Sequence, residues 1–264
     1  MSLENLSDSN FTIKLINSLE ELKKSQNNIV LFGSVGNGKT SLLNKICGKF
    51  YEVSDRGYSC TRTIQFDHSI KHDMIIIDFP GLNAVKDIIL HLKTQVTTFN
   101  AIPVRMICLV IKYSVRNDDF EVELGQMLAI FHKYLKNITI IITKSEGIIK
   151  DVKRKAEIQH LFKNRYDIEN VIFTWEKKDE LELCDELNKY KEKMENIPQI
   201  IAKTVDLAKT VPSLYNKDVA AEKEKYEGEF HKTLEQFKKE VDKATDADLK
   251  RPLFLRLKTT KTIC

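Results

Sequence analysis

A chain of 264 residues with 42% apolar and 30% charged residues can build one substantial core and an appendage, which excludes a disordered or disulfide-stapled chain. Its net charge of +4 is too small for a concentrated basic face, so no nucleic-acid partner is expected. The five cysteines are scattered without CxxC or Cys/His spacing, and the longest apolar stretches, Met74–Ile77 and Met106–Ile111, fall far short of a bilayer span.

The N-terminus shows no secretory apolar region, and Ser2 stands where myristoylation requires glycine. A cytoplasmic, reducing setting is therefore expected. In chain order, β-branched runs at Asn28–Phe32, Ile64–Ile70, Met74–Phe79, Val104–Lys112, Ile138–Thr143 and Asn170–Trp175 predict strands. Helical periodicity falls between them, at Lys39–Cys47, Ala84–Phe99, Asp118–Leu135 and Lys150–Phe162. Runs such as MIIID and ITIIIT are apolar at successive positions, so both of their faces need cover, as in a parallel sheet between helices. The short Lys71-His72-Asp73 step predicts a tight hairpin and one antiparallel edge pair. The expected fold is thus α/β: a three-layer sandwich around a six-stranded, mostly parallel sheet with one antiparallel edge strand, followed by a helical C-terminal extension.

Beyond Thr174 the pattern is helical only, at Lys178–Glu195 and Ile200–Lys209. Residues 217–244 are dense in Lys and Glu, with Phe230, Leu234, Phe237 and Val241 at three- and four-residue spacing. That is an amphipathic helix, suited to its own domain or to a partner.

The chemistry begins at Gly33–Thr40, G-S-V-G-N-G-K-T, between a strand and a helix. This is GxxxxGK[ST] in its required setting. Gly33, Ser34, Val35, Gly36, Asn37, Gly38, Lys39, Thr40 and Ser41 are the expected phosphate-binding residues. Glycines let successive backbone N–H groups curl around phosphate oxygens, and the helix N-terminus adds positive potential. Lys39 would bridge the β- and γ-phosphates, and the Thr40 hydroxyl would ligate Mg²⁺. In Met74–Leu82, MIIIDFPGL, Asp78 would hold Mg²⁺ through water and the Gly81 N–H would sense the γ-phosphate. The segment Arg56–Phe66 offers Ser59, Thr61 and Thr63 as a hydroxyl to close over the metal, and spacing does not choose among them.

Thr143-Lys144-Ser145-Glu146 ends the next-to-last strand, where P-loop GTPases carry [NT]KxD. A carboxylate there accepts from the N1–H and N2–H₂ of guanine, a donor pair that adenine lacks. The Lys144 stem would pack along the purine.

Together these residues resemble the immunity-associated nucleotide-binding GTPases (the AIG/IAN/GIMAP family), relatives of septins and chloroplast import GTPases. The loop GSVGNGKTSLLNKICG is similar to that family's GxxGxGK[ST]S with N-x-I-x-G, matching through Asn44, Ile46 and Gly48. Ser59-Cys60-Thr61-Arg62-Thr63-Ile64 resembles the family's S-V-T-K-x-C and so implies Thr61 as the switch threonine and a metal ligand. DFPGL stands for DTPGL, and TKSE fits T-[RK]-x-[DE]. The resemblance covers about residues 26 to 195 and implies binding of GTP and GDP with Mg²⁺.

It further implies slow hydrolysis completed by a homodimer through the G-domain face, with Arg116 the candidate catalytic arginine, although Asp118 aligns there equally well. No Gln follows Gly81 among residues 82–85 to orient a water. Trp175 replaces the family's Asn after the last strand and is a candidate base contact beside Thr143, Lys144 and Glu146. The expected organisation is an extension at 1–25, an AIG-type G domain at 26–210 and a charged helical extension at 211–264. The last stretch, Leu249–Cys264, carries five basic residues and no acid among leucines, so peripheral membrane contact is a candidate role. Cys264 is the final residue and fails the prenylation rule.

Overall fold

The computed structural model describes residues 15, 17–53, 64–82, 88–115, 117–198 and 200. All of them fall within the first of two compact units, Met1–Tyr215; the second, Asn216–Cys264, lies outside the described residues. Thr61, Arg116, the 217–244 helix and the basic tail also lie outside them.

Strands β1 (Asn28–Phe32), β2 (Gln65–His68), β3 (Ile75–Asp78), β4 (Met106–Lys112), β5 (Ile138–Thr143) and β6 (Val171–Phe173) form one sheet in the order β2-β3-β1-β4-β5-β6. β2 pairs antiparallel with β3, and every other pair is parallel. The predicted hairpin is present, with His68 opposite Ile75. β2 is two residues shorter at its far end than the apolar run suggested, and its residues are half-buried or exposed, because it is the sheet edge.

Helices α1 (Lys39–Cys47), α2 (Ile88–Ala101), α3 (Asn117–Phe131), α4 (Val152–Tyr166) and α5 (Glu180–Lys191) cover the sheet. β1, β4 and β5 are buried at nearly every position because both of their faces are covered. On one side, Leu42, Leu43 and Ile46 of α1 join Leu183 and Leu187 of α5 over Ile29, Leu31, Ile76, Cys108, Val110 and Ile141. On the other, Phe32, Phe79, Phe99 and Phe131 form one aromatic cluster, with Phe79 stacked on Phe99 at 4.7 Å between centroids. The helix predicted to run to Leu135 breaks at Phe131, and a 3₁₀ segment, His132–Asn137, leads into β5. α5 begins at Glu180 rather than Lys178, because the Asp179 side chain caps it by accepting the Glu182 N–H at 2.8 Å.

This arrangement brings the C-terminal ends of β1, β3, β4, β5 and β6 to one edge, where open parallel sheets hold their ligands.

Candidate nucleotide-binding site

Backbone bonds tie the loop from Gly33 to Gly38 to the DFPGL segment. Val35 N–H donates to Leu82 C=O at 2.9 Å, and Leu82 N–H donates to Gly33 C=O at 3.1 Å. The DFPGL segment is therefore bonded directly to the phosphate loop. The fit at Gly81 is close, since a Cβ there would lie 2.8 Å from the Val35 nitrogen. A Cβ on Gly33 would stand 2.2 Å from the Val110 carbonyl oxygen, so the loop must leave β1 on glycine. Gly36 and Gly38 adopt φ of +83° and +85°, values that favour glycine. Gly38 is also the residue at the N-cap of α1, so no side chain stands over the helix entrance.

Lys39 is buried and folds back over the loop, its Nζ donating to Gly33 C=O and Ser34 C=O, both at 2.9 Å. An ammonium has three donors, so this docking leaves one for an incoming oxygen. Burial pushes the Lys39 ammonium below the usual lysine range, while the carboxylates of Asp78 and Glu123 pull it back up. An anion at the loop would favour its charged form.

Thr40, one residue further along α1, donates its hydroxyl to Asp78 Oδ2 at 2.6 Å. Two oxygen donors of opposite sheet and helix origin thus converge where a hard cation would sit. Thr40, the Asp78 carboxylate through water, and phosphate oxygens would hold Mg²⁺. Among the described residues no group of three His, Cys, Asp or Glu gathers, and this mode of binding needs none. Bound there, the ion would neutralise charge on the phosphates.

Glu123 of α3 is an unforeseen neighbour. Its Oε1 accepts from the Asn37 amide at 2.6 Å and from Ser34 N–H at 3.3 Å, while the same Asn37 amide reaches Val110 C=O at 2.8 Å. The available signal was its spacing: Glu123 stands in line with buried Met127 and Phe131 on the inner face of α3.

The base end adjoins this. Thr143 Oγ1 donates to the Asn37 carbonyl at 2.8 Å, joining the end of β5 to the phosphate loop across 106 positions of sequence. Lys144 adopts a left-handed φ of 52° and is exposed, as is Glu146. Ser145 is fully buried, and its hydroxyl and N–H both donate to Thr174 C=O, at 3.0 and 3.2 Å. Glu146 Oε1 accepts the Glu176 N–H at 3.2 Å. The backbone after β6 is therefore bonded to the TKSE segment at two points.

Trp175 takes part in this turn by its backbone, but its indole points elsewhere. The ring lies 5.9 Å from Lys155 Nζ and 5.5 Å from Lys178 Nζ. It lines a cavity of about 240 Å³ at the β6 edge with Phe173, Tyr190 and residues of α4 and α5. The structure thus brings together Gly33 to Ser41, Asp78, Gly81, Thr143, Lys144 and Glu146, and turns the Trp175 ring aside into the edge groove.

Residues 28–144 match the family model described as 50S ribosome-binding GTPase. This stretch is similar to P-loop GTPase domains. The chain matches no curated protein. Among solved structures it is similar to a mutant of S. thermophilus NFeoB bound to GMPPNP, at 16% identity over 64% of this chain and 62% of that one, TM-score 0.47. It is also similar to a mutant of Aquifex aeolicus Era bound to GDP·AlF₄⁻, at 16% identity over 64% of this chain and 56% of that one, TM-score 0.47. A structure of Era with MgGDPNP and nucleotides of 16S ribosomal RNA shares 15% identity over 64% of this chain and 57% of that one, TM-score 0.46. The chain spans about three fifths of the length of the solved structures it resembles.

Proposed function

We propose that this chain is a Mg²⁺-dependent GTP-binding protein of the AIG (immunity-associated) type that hydrolyses GTP slowly, aided by pairing of two G domains. The observation that supports the reading is the Thr143 bond to Asn37, which joins the loop that would hold phosphate to the strand end that would read the base. Lys39, with one donor to spare, would take the β- and γ-phosphate oxygens, and the Gly81 N–H would meet the γ-phosphate. Glu146 would accept the two donors on the guanine edge. Thr61 would close over the metal, and Arg116 of a second copy would supply positive charge. Slow hydrolysis is supported by the absence of Gln at positions 82–85, which leaves no side chain there to orient the attacking water.

Thermal unfolding tests the base assignment. Mg·GTP is expected to raise the midpoint and Mg·ATP to leave it nearly unchanged; equal shifts would remove guanine from the reading. Dimer-assisted catalysis predicts hydrolysis per molecule that climbs with protein concentration, and a flat profile would remove it.

A second reading is a GTP-gated scaffold that assembles, or sits on a membrane through Leu249–Cys264, with hydrolysis incidental. The same missing Gln and the basic tail favour it. It expects a non-hydrolysable GTP analogue to raise the oligomeric mass.

A further inference from the structure

Helix α1 enters the site twice. Its first residues, Lys39 and Thr40, face the phosphate end. Lys45, six residues on and about 9 Å along the helix axis, reaches the other end. Its Nζ donates to Glu176 C=O at 2.6 Å and to Trp175 C=O at 3.2 Å. A lysine in the last turn of a helix ordinarily complements the helix dipole. Here both of its hydrogen bonds leave α1 and go to the turn after β6.

That turn is tied down peptide by peptide. Ser145 holds the Thr174 carbonyl, Lys178 N–H donates to the Trp175 carbonyl at 3.2 Å, and the Glu176 N–H points at Glu146 Oε1. The last contact matters for chemistry. Glutamate has one more rotatable bond than aspartate, so an exposed Glu146 would lose more rotamer freedom on fixing its carboxylate in one orientation. The Glu176 N–H takes one acceptor site of Oε1 and leaves the remaining sites of the carboxylate to the two donors of the guanine edge. Lys45 in turn fixes the Glu176 peptide from its carbonyl side.

We propose that Lys45 is a specificity-positioning residue: by clamping the Trp175 and Glu176 carbonyls it holds the Glu176 N–H against Glu146 and so aligns that carboxylate with the guanine edge. The inference rests on the guanine reading above and goes beyond it in naming what orients the base-reading acid. α1 then acts as a rigid spacer, with phosphate contacts at its start and base alignment near its end.

The experiment compares full-length wild type with K45M, which keeps the apolar stem, and K45R, which keeps the charge and the donors. Affinities for Mg·GTP, Mg·ATP and inorganic tripolyphosphate are measured by calorimetry or competition. Wild type should prefer GTP. K45M should weaken GTP about tenfold, the scale of one lost charge-assisted hydrogen bond, with ATP and tripolyphosphate unchanged. K45R should restore GTP to within about threefold of wild type. Equal weakening of GTP and tripolyphosphate would overturn the proposal, since Lys45 would then act on the helix or the phosphates. No change in GTP affinity would overturn it also. If K45M does not fold, K45Q carries the same expectation of lost GTP preference. A wild-type protein that binds GTP and ATP alike defeats the guanine reading itself, a result visible before any variant is made.

Discussion

The two ends of the candidate site are built in opposite ways. The phosphate end is a run of neighbours, Gly33 to Ser41, closed by Gly81 and Leu82, and its decisive groups are buried backbone and a buried lysine. The base end is exposed and is assembled from the ends of β5 and β6 with one side chain of α1. A phosphate needs several converging N–H groups, which a single curled loop supplies. A purine edge needs one carboxylate held at a set angle, and fixing an exposed side chain takes help from elsewhere in the fold. The first end should tolerate little change in shape, and the second should lose selectivity before it loses stability.

The contrast breaks first, and most, at Lys39. K39M should lower affinity for Mg·GTP by at least about 100-fold by calorimetry, the cost of a buried charge-assisted contact to phosphate. The nucleotide-free protein should nonetheless unfold no earlier. Gly33 C=O keeps the Leu82 N–H and Ser34 C=O keeps the Asn37 N–H, so neither acceptor is orphaned. Because burial depresses the lysine in the fold, the folded state binds fewer protons than the unfolded one between the lowered value and 10.5. Wild-type stability without nucleotide should accordingly gain a rising component as pH climbs through that window, and K39M should lack it. An early-unfolding K39M would assign the lysine a structural role.

A pair of glycine variants sharpens the comparison within the loop. G33A drives a methyl into the Val110 carbonyl and should cost about 3 kcal/mol in urea unfolding. G36A meets nothing within 4 Å and pays only for its positive φ, about 1 kcal/mol. Similar losses at both positions would mean that loop strain, not the close approach to β4, governs this end.

The smallest effect on binding is expected at Trp175. With its ring between Lys155 and Lys178, W175A should cost about 1 kcal/mol of stability and change GTP affinity by less than about threefold. A loss of tenfold or more would bring the indole back to the base, as the sequence alone suggested.

How much could be read in advance follows the same division. The placement of Gly33–Thr40, Asp78 and Gly81 was legible because local order dictates it: strand, glycine turn, helix, then an acid at the end of the neighbouring strand. The mostly parallel character of the sheet was legible too, since ITIIIT and MIIID admit few arrangements other than covered parallel strands, whereas the strand order was not. Glu123 and Lys45 were not, because each acts on an element far away in sequence, 86 positions from Asn37 in one case and 131 from Glu176 in the other. Their residue types fit ordinary helix surfaces equally well. Thr143 lay between these extremes. Its place in TKSE was readable, whereas its bond to Asn37 belongs to the packed fold.

By itself, then, the sequence determined the strand–loop–helix at Gly33–Thr40 and the mostly parallel sheet around it, because backbone geometry at that loop depends on glycine positions and short spacing. The tertiary structure decided what stands behind those residues: that Glu123 supports the loop, that α1 reaches the base turn through Lys45, and that the indole of Trp175 turns into the edge groove. The physical reason is range. Local sterics and hydrogen bonding act across a few residues of chain, but the direction of a long side chain is settled by whichever distant carbonyl or ring the fold brings within reach.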